Sequence, residues 1–144
     1  MKEGKERHQY LMKTYLPLIE DLTYGRKFLD VGFTVPFHIK DLAERGWIST
    51  GIDLIENEYI TGNFEDYDFG DTTFDFILLG HVLESFDDPK EAIKKAYKLL
   101  NKYGILMITH PNPELVFKTT VRNFGHWVAE EKHIFISKQE LEFP

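Results

Sequence analysis

The chain contains no cysteine and no long hydrophobic segment. The first absence excludes disulfides, thiolate nucleophiles and zinc sites with cysteine ligands. The second excludes a bilayer-spanning helix, which needs about 20 consecutive apolar residues. The first eight residues are mostly charged or polar and hold no apolar core of a signal peptide. These absences predict a cytoplasmic protein without a membrane partner.

Positive charge is also scarce. The chain has 17 lysine and arginine residues against 24 aspartate and glutamate residues, which gives a net charge of −7. Such a chain lacks the broad positive field that non-specific nucleic-acid binding uses, so we expect no nucleic-acid partner. The length of 144 residues, of which 42% are hydrophobic, predicts a single folded domain over residues 1–144.

Short apolar runs alternate with helical stretches along the chain. The runs predicted as strands are Lys27–Val31, Trp47–Ile52, Phe74–Leu79 and Ile105–Thr109, with a weaker candidate at Glu58–Thr61. Helices are predicted over residues 5–22, interrupted by Pro17, over residues 36–45, and from Asp88 onward. Strands that alternate with helices form right-handed βαβ units. The pattern therefore predicts an α/β fold, a Rossmann-like, open and mostly parallel twisted sheet of about five strands with helices on both faces.

Two sequence features indicate a nucleoside-binding site. Phe28–Gly32 leads from a strand into a turn, and Asp53 follows Gly32 by 21 residues at the end of the next predicted strand. A carboxylate at that place accepts hydrogen bonds from ribose hydroxyls. The turn has one glycine where a dinucleotide motif has three, and a Walker A loop is absent, so a pyrophosphate ligand is disfavoured. S-adenosylmethionine, which has ribose and adenine but no phosphate, fits better.

Several ordered blocks between about Leu22 and Leu141 resemble the class I S-adenosylmethionine-dependent methyltransferases. The blocks are Leu29–Gly32, Gly51–Asp53, Gly62–Glu65, Phe74–Ile77, His81–Glu84, Leu99–Leu106, His110–Pro113 and His133–Phe135. The resemblance implies transfer of a methyl group from S-adenosylmethionine to an acceptor, which we expect to be a small molecule. The cofactor contacts that it implies are Asp30, Gly32, Asp53, Asn63, Phe64 and Gly80.

Two histidines are candidates for accepting a proton during catalysis. His81 and His110 follow the predicted strands Phe74–Leu79 and Ile105–Thr109, near the place where the resemblance puts the methyl acceptor. Each also has a structural interpretation, as a histidine that hydrogen-bonds a backbone carbonyl. The sequence leaves both interpretations open.

The first motif departs from the family pattern at two positions. Thr34 and Pro36 stand where the family carries its second and third glycines. A β-branched residue in the left-handed region costs on the order of 1–2 kcal/mol, unless the loop changes shape. Either outcome can fill the space for the methionine part of the cofactor. A second function therefore stays open, a non-catalytic methyltransferase-like module that has lost cofactor binding and acts as a binding or assembly partner.

The C-terminal segment is a second departure. The family sheet closes with two further strands, and the residues after His110 contain no convincing strand pair. We therefore expect the final strands to be missing and Ile105–Thr109 to form an exposed edge. Three explanations stay open: Pro113–Pro144 folds over this edge, a second copy pairs with it in a homodimer, or the chain is a fragment of a longer product. No metal site is predicted, because the histidines and glutamates between residues 126 and 133 match no short metal-ligand motif.

Overall fold

The computed structural model describes residue 6 and residues 13–110, 126–130 and 133–138. Within these residues the helices are α1 (Leu16–Leu22), α2 (Phe37–Glu44) and α3 (Pro89–Lys98), with a short 3-10 helix at Leu83–Ser85. The strands are β1 (Lys27–Val31), β2 (Ile48–Asp53), β3 (Ile60–Thr61), β4 (Phe74–Gly80), β5 (Leu100–Thr109), β6 (His126–Glu130) and β7 (His133–Ser137). The earlier part of the predicted helix over residues 5–22 lies largely outside the described residues.

All of these strands form one sheet in the order β3-β2-β1-β4-β5-β7-β6. The neighbours from β3 to β5 pair in parallel, whereas β7 runs antiparallel to both β5 and β6. The prediction of an open, mostly parallel α/β sheet is therefore confirmed.

Three predictions about the sheet are wrong. Within the described residues the sheet has seven strands and not about five, and the final strands are present. Strand β7 pairs along β5 from Ile105↔Ser137 to Thr109↔His133, so β5 is not an exposed edge. Among the side chains of β7 that the structure describes, Ile134 and Ile136 are buried in the core. A five-residue strand with so weak a pattern gains much of its stability from pairing with its neighbour. The homodimer loses the edge that motivated it and stays a prediction.

The sheet buries apolar side chains on both faces. Alternate residues of β4 separate two cores, with Ile77 and Leu79 on the face covered by α3 and Phe76 and Leu78 on the face covered by α1 and α2. Every residue of Phe74–Leu79 is buried as a result, which is typical of a central parallel strand.

The amino-terminal end of α3 has the predicted capping residues. The carboxylate of Asp88 accepts a hydrogen bond from the amide of Glu91 at 3.2 Å, and Pro89 occupies the first helical position. This cap fixes the point at which the chain leaves the loop after β4 and enters the helix.

The sheet topology places the sequence motifs together. The strand order reverses between β1 and β4, because the chain continues outward from β1 through β2 and β3 and then returns to β4. Loops at the carboxyl ends of two such strands diverge and leave a crevice between them. The crevice is lined by residues 30–35 at the end of β1 and in the loop after it, by Asp53 at the end of β2 and by residues 80–82 at the end of β4.

Candidate functional site

An open cavity of about 620 Å³ lies at the carboxyl ends of β1, β2, β4 and β5. Small-molecule sites typically have volumes of about 300–1,000 Å³. The six residues predicted as cofactor contacts all line this cavity, namely Asp30, Gly32, Asp53, Asn63, Phe64 and Gly80. The fold thus brings them to one place, and their contact with a cofactor stays a prediction.

Three apolar residues between β1 and the first turn of α2 lie in the cavity wall and leave the cavity open. They are Phe33, Val35 and Phe37. The ring of Phe33 rests against β2, where a Cβ added to Gly51 would lie 2.6 Å from Phe33 Cδ1. The same ring meets the ring of Tyr59, with centroids 5.6 Å apart. Gly51 therefore gives Phe33 room beside β2, so that the space next to Asp53 is not filled.

The loop after β1 contains two residues with left-handed backbone angles. Gly32 has φ +69°, and a Cβ added to it would lie 2.3 Å from Val82 Cγ1. Thr34 has φ +54°. Of the two alternatives, a strained left-handed residue or a loop of changed shape, Thr34 therefore adopts the strained left-handed angle. The loop keeps the left-handed backbone that a glycine would adopt at residue 34, and the Thr34 side chain is exposed.

Backbone amides hold the carboxylate of Asp53 in place. Its Oδ2 accepts a hydrogen bond from the Thr34 amide at 3.1 Å, and its Oδ1 accepts one from the Ile55 amide at 3.0 Å. Each carboxylate oxygen has two lone pairs, so both oxygens retain capacity for a further donor. The half-buried Asp53 side chain is therefore fixed in orientation and still able to bind hydroxyl groups.

The segment after β3 forms another wall. Asn63 Oδ1 accepts a hydrogen bond from the Glu65 amide at 2.9 Å, which closes a tight turn. Phe64 is 3% exposed and belongs to the core as well as to the cavity wall. Lys95 Nζ, from α3, donates to the carbonyl oxygens of Phe64 at 2.5 Å and Tyr67 at 2.6 Å. A single lysine therefore anchors this wall to α3.

The ammonium group of Lys95 is packed among aromatic rings. Its Nζ lies 5.1 Å from the ring centroid of Phe64 and 5.5 Å from that of Phe69. Burial lowers the pKa of Lys95, while the carboxylates of Asp66 and Asp68 act in the opposite direction. The lysine thus combines hydrogen bonds, cation–π contacts and attraction to nearby carboxylates.

Glu65 joins two walls of the cavity. Its carboxylate accepts hydrogen bonds from the amides of Asp87 at 2.9 Å and Asp88 at 3.1 Å. The rings of Phe64 and Phe86, which both line the cavity, meet beside this bridge with centroids 6.0 Å apart. The relative position of the segments after β3 and before α3 therefore depends on Glu65, a residue that the sequence analysis did not single out.

The two candidate catalytic histidines occupy different places. His81 lines the cavity directly after β4 with φ +56°, and its amide donates to the carbonyl of Thr109 at 3.0 Å. A non-glycine residue with such an angle is uncommon and occurs at functional sites. His110 is 5% exposed and does not line the cavity; its Nε2 lies 3.6 Å from Glu84 Oε2. The catalytic role of each stays a prediction.

A histidine that the sequence analysis missed lies beside Asp30. His38, in the first turn of α2, lines the cavity, and its Nδ1 lies 3.4 Å from Asp30 Oδ2. The Asp30 side chain is 3% exposed and that of His38 is 19% exposed. The signal that could have found His38 is its position at the start of α2, directly after the loop of the first motif.

Among the described residues, no three histidine or acidic side chains are close enough to hold a metal ion. The side chains between residues 126 and 133 lie outside the description. No helix in the described part of the chain has the length and apolar character needed to cross a membrane.

Comparisons with known proteins agree with this geometry. Residues 4–142 match the family model described as a methyltransferase domain. No curated protein sequence matches the chain.

Solved structures with the same fold include three proteins at 18% identity. NodS N-methyltransferase from Bradyrhizobium japonicum WM9, in complex with S-adenosyl-L-homocysteine, has a TM-score of 0.70 over 94% of this chain and 87% of that protein. The PH0226 protein from Pyrococcus horikoshii OT3 has a TM-score of 0.65, with 94% and 72% covered. The CcbJ methyltransferase from Streptomyces caelestis has a TM-score of 0.59, and this chain covers 53% of its length. At this level of identity the similarity shows the fold alone.

Proposed function

The chain belongs to the methyltransferase-domain family, and we propose that it transfers a methyl group from S-adenosylmethionine to a small-molecule acceptor. The observation that carries this proposal is the open cavity of about 620 Å³ between Asp53 and Gly32 on one side and Gly80 and His81 on the other. An adenosine-containing ligand needs such a space beside a carboxylate.

The residues present fit the adenosine part of this cofactor. The carboxylate of Asp53, held by two amides, can accept hydrogen bonds from both ribose hydroxyls. The side chain of Asn63 can accept from and donate to the edge of adenine. Gly32 lets the backbone pass close to Val82 in the cavity wall, because a Cβ at residue 32 would lie only 2.3 Å from Val82 Cγ1.

The chemistry divides between the cofactor and the protein. When bound, S-adenosylmethionine supplies a methyl group on a positively charged sulfur. As the lone pair of the acceptor forms a bond to the methyl carbon, the carbon–sulfur bond breaks and its electron pair stays on the sulfur of the neutral thioether. The cavity walls hold the acceptor in line with that bond, and such positioning supplies most of the rate. The acceptor also loses a proton, and the imidazole of His81 lies in the wall where it can take that proton.

Charge supports a small acceptor. The chain has a net charge of −7, and among the described residues no lysine or arginine lines the cavity. A nucleic acid brings many phosphates, and its binding requires basic residues near the site. Binding of a small neutral or cationic molecule does not require basic residues near the site.

The alternative is a module that has lost cofactor binding. The departures at Thr34 and Pro36 favour it, because both residues replace glycines in the loop that faces the cofactor. The strained φ of +54° at Thr34 is the specific observation in its favour. The open cavity argues against it, since Phe33 and Val35 lie in the wall and leave the space beside Asp53 available.

Calorimetry distinguishes the two functions. We expect S-adenosylmethionine and S-adenosylhomocysteine to bind the wild-type chain, and Asp53→Ala to abolish that binding. Asp71→Ala removes an exposed carboxylate outside the cavity wall and serves as the matched control. If millimolar ligand gives neither heat nor a shift in melting temperature, the enzyme is refuted and the non-catalytic module remains.

Methyl transfer itself needs a separate measurement. Formation of S-adenosylhomocysteine is followed while small amines, alcohols and thiols are offered as acceptors. With an acceptor found, His81→Gln is expected to lower kcat by about 100-fold or more while leaving cofactor affinity unchanged, because a general base contributes about 10²–10⁴-fold. An unchanged kcat would remove His81 from the reaction.

A further inference from the structure

The turn after β3 fixes which way round the Asn63 side chain lies. Asn63 lines the cavity, and its Oδ1 accepts a hydrogen bond from the Glu65 amide at 2.9 Å. A flipped side chain would place its NH₂ group against that amide, donor against donor, so the turn permits one orientation. The NH₂ group can donate to a ligand, and Oδ1 has a second lone pair. Asn63 therefore presents a donor and an acceptor in a set order.

A set order distinguishes one purine base from another. Along its pairing edge, adenine has the acceptor N1 beside an amino group, which donates. Hypoxanthine reverses that order, because its N1 carries a hydrogen and the neighbouring group is a carbonyl oxygen. An amide that turns freely matches either base, since its oxygen and NH₂ group exchange places on flipping. A fixed amide matches one base and meets the other donor against donor and acceptor against acceptor.

Lys95 of α3 holds this turn. Its Nζ donates to the carbonyl oxygens of Phe64 at 2.5 Å and Tyr67 at 2.6 Å, on either side of Glu65. The amide of Tyr67 donates in turn to the carbonyl oxygen of Asn63 at 2.9 Å. One ammonium group thus joins two points of the turn to a helix whose other face is buried in the core. Without that group, nothing from α3 keeps the two carbonyl oxygens together.

We propose that Lys95 is the positioning residue for base selectivity, because by holding the turn it keeps the Asn63 amide in the one orientation that accepts adenine and rejects hypoxanthine. This inference rests on the proposed function, which makes adenine the base. Lys95 does not line the cavity, so it acts through Asn63. Its Nζ lies 5.1 Å from the ring centroid of Phe64 and 5.5 Å from that of Phe69, so cation–π contacts also fix its place.

Three ligands separate the base from the rest of the site. S-adenosylhomocysteine and S-inosylhomocysteine differ only in the base, whereas the 2′-deoxy analogue of S-adenosylhomocysteine lacks only a ribose hydroxyl that Asp53 is expected to bind. Calorimetry of the full chain with each ligand gives a base preference and a sugar preference. For the wild type we expect each preference to be about tenfold or more, the cost of leaving hydrogen-bonding groups of the site unpaired.

Lys95→Met removes the ammonium group and keeps an apolar side chain. We expect the base preference to fall below about threefold and the sugar preference to stay within about twofold of the wild type, because other amides hold Asp53. A purely structural role for Lys95 would lower the melting temperature and leave the ratio of the two preferences unchanged. Lys95→Arg keeps N–H donors and the charge, and is expected to restore part of the base preference.

Two further variants complete the test. Lys90→Met is the matched control, because it removes an exposed ammonium group from the same helix outside the cavity wall, and it is expected to change neither preference. Lys95→Gln keeps an NH₂ donor without the charge and takes the place of Lys95→Met if that variant does not fold. Its base preference is expected to fall less, with the sugar preference again unchanged.

The outcomes separate this inference from the function on which it rests. A wild type without a base preference overturns the role of Lys95 while the cofactor site stands. A base preference that survives in the Lys95 variants, or that falls in step with the sugar preference, does the same. Failure of the wild-type chain to bind any of the three ligands overturns the proposed function itself.

Discussion

The backbone amide of Thr34 donates a hydrogen bond to Asp53 Oδ2 at 3.1 Å, across the space between the loop after β1 and the end of β2. This bond links the residue that departs from the family's glycine pattern to the carboxylate expected to hold ribose. The donor residue, Thr34, has a φ of +54°, which is a strained angle for a β-branched residue. Because the donor is a backbone group, a glycine at residue 34 can form the same bond without that strain.

Thr34→Gly is therefore expected to stabilise the protein. Relief of the left-handed angle gains on the order of 1–2 kcal/mol, and the greater freedom of glycine in the unfolded chain offsets up to about 1 kcal/mol of it. We expect the free energy of unfolding, measured by urea denaturation, to rise by about 0.5–1 kcal/mol. Thr72→Gly, at an exposed threonine outside the left-handed region, should lower it instead. Equal effects at the two positions would show that Thr34 is not strained.

Gly32 is expected to tolerate no side chain. In Gly32→Ala the new Cβ meets Val82 Cγ1 at 2.3 Å, and the backbone angle is left-handed as well. We expect a loss of about 2 kcal/mol or more in the free energy of unfolding, together with weaker binding of S-adenosylhomocysteine.

Gly46→Ala separates the two causes. Gly46 has φ +94°, and a Cβ added there meets nothing within 4 Å, so this variant carries backbone strain alone. It should lose about 1 kcal/mol, less than Gly32→Ala. If both variants lose the same amount, the contact with Val82 contributes nothing.

The sequence predicted the strands that are short apolar runs with clear ends. The predicted run Phe74–Leu79 differs from β4 by one residue, because burial on both faces leaves a continuous apolar signal. Strand β5 begins at Leu100 and not at Ile105, since pairing with β4 extends it through polar residues. The hairpin of β6 and β7 escaped prediction for a related reason. Strand β7 is stabilised by pairing with β5, which is distant in sequence, and such pairing leaves little trace in local composition.

The candidate site was predictable where it depends on chain topology. Gly32 and Asp53 lie at strand ends, and strand ends of a parallel sheet converge. Glu65 and Lys95 were not predictable, because each acts on a partner that only the fold brings near. Lys95, for example, reads as a solvated helix position in the sequence, yet its Nζ donates to the carbonyl of Phe64, 31 residues away.

Glu65 is expected to matter more for binding than for stability. Glu65→Ala removes the acceptor of the Asp87 and Asp88 amides. Both residues are exposed, so water can replace the carboxylate, and the free energy of unfolding should fall by only about 1 kcal/mol. The two cavity walls then lose their bridge, and we expect severalfold weaker binding of S-adenosylhomocysteine in calorimetry.

Glu65→Gln provides the matched comparison. Its amide has one oxygen and one NH₂ group, so it keeps only one of the two oxygens that accept from the backbone amides of Asp87 and Asp88. Its affinity should lie between those of the wild type and Glu65→Ala. If Glu65→Ala binds the ligand as tightly as the wild type, the bridge does not position the cavity walls.

We expect Lys138 to make the free energy of unfolding depend on pH in the alkaline range. It is 4% exposed, and its Nζ donates to the carbonyl oxygens of Tyr97 at 3.2 Å and Leu100 at 2.9 Å at the end of α3. Burial lowers the pKa of Lys138 below its ordinary value of 10.5. The folded state therefore binds this proton less tightly than the unfolded state does, which lowers stability when the group is protonated in both states.

The sign of the pH effect follows from that difference. Between the lowered pKa and 10.5 the unfolded chain holds more protons than the folded one, so stability rises with pH in this window. We expect the free energy of unfolding of the wild type, measured relative to that of Lys138→Met, to increase as pH rises toward 10.5. Lys90→Met removes an exposed ammonium group and controls for the loss of one positive charge. A difference between wild type and Lys138→Met that stays constant, or that shrinks with pH, would mean that the buried amine does not resist protonation in the folded protein.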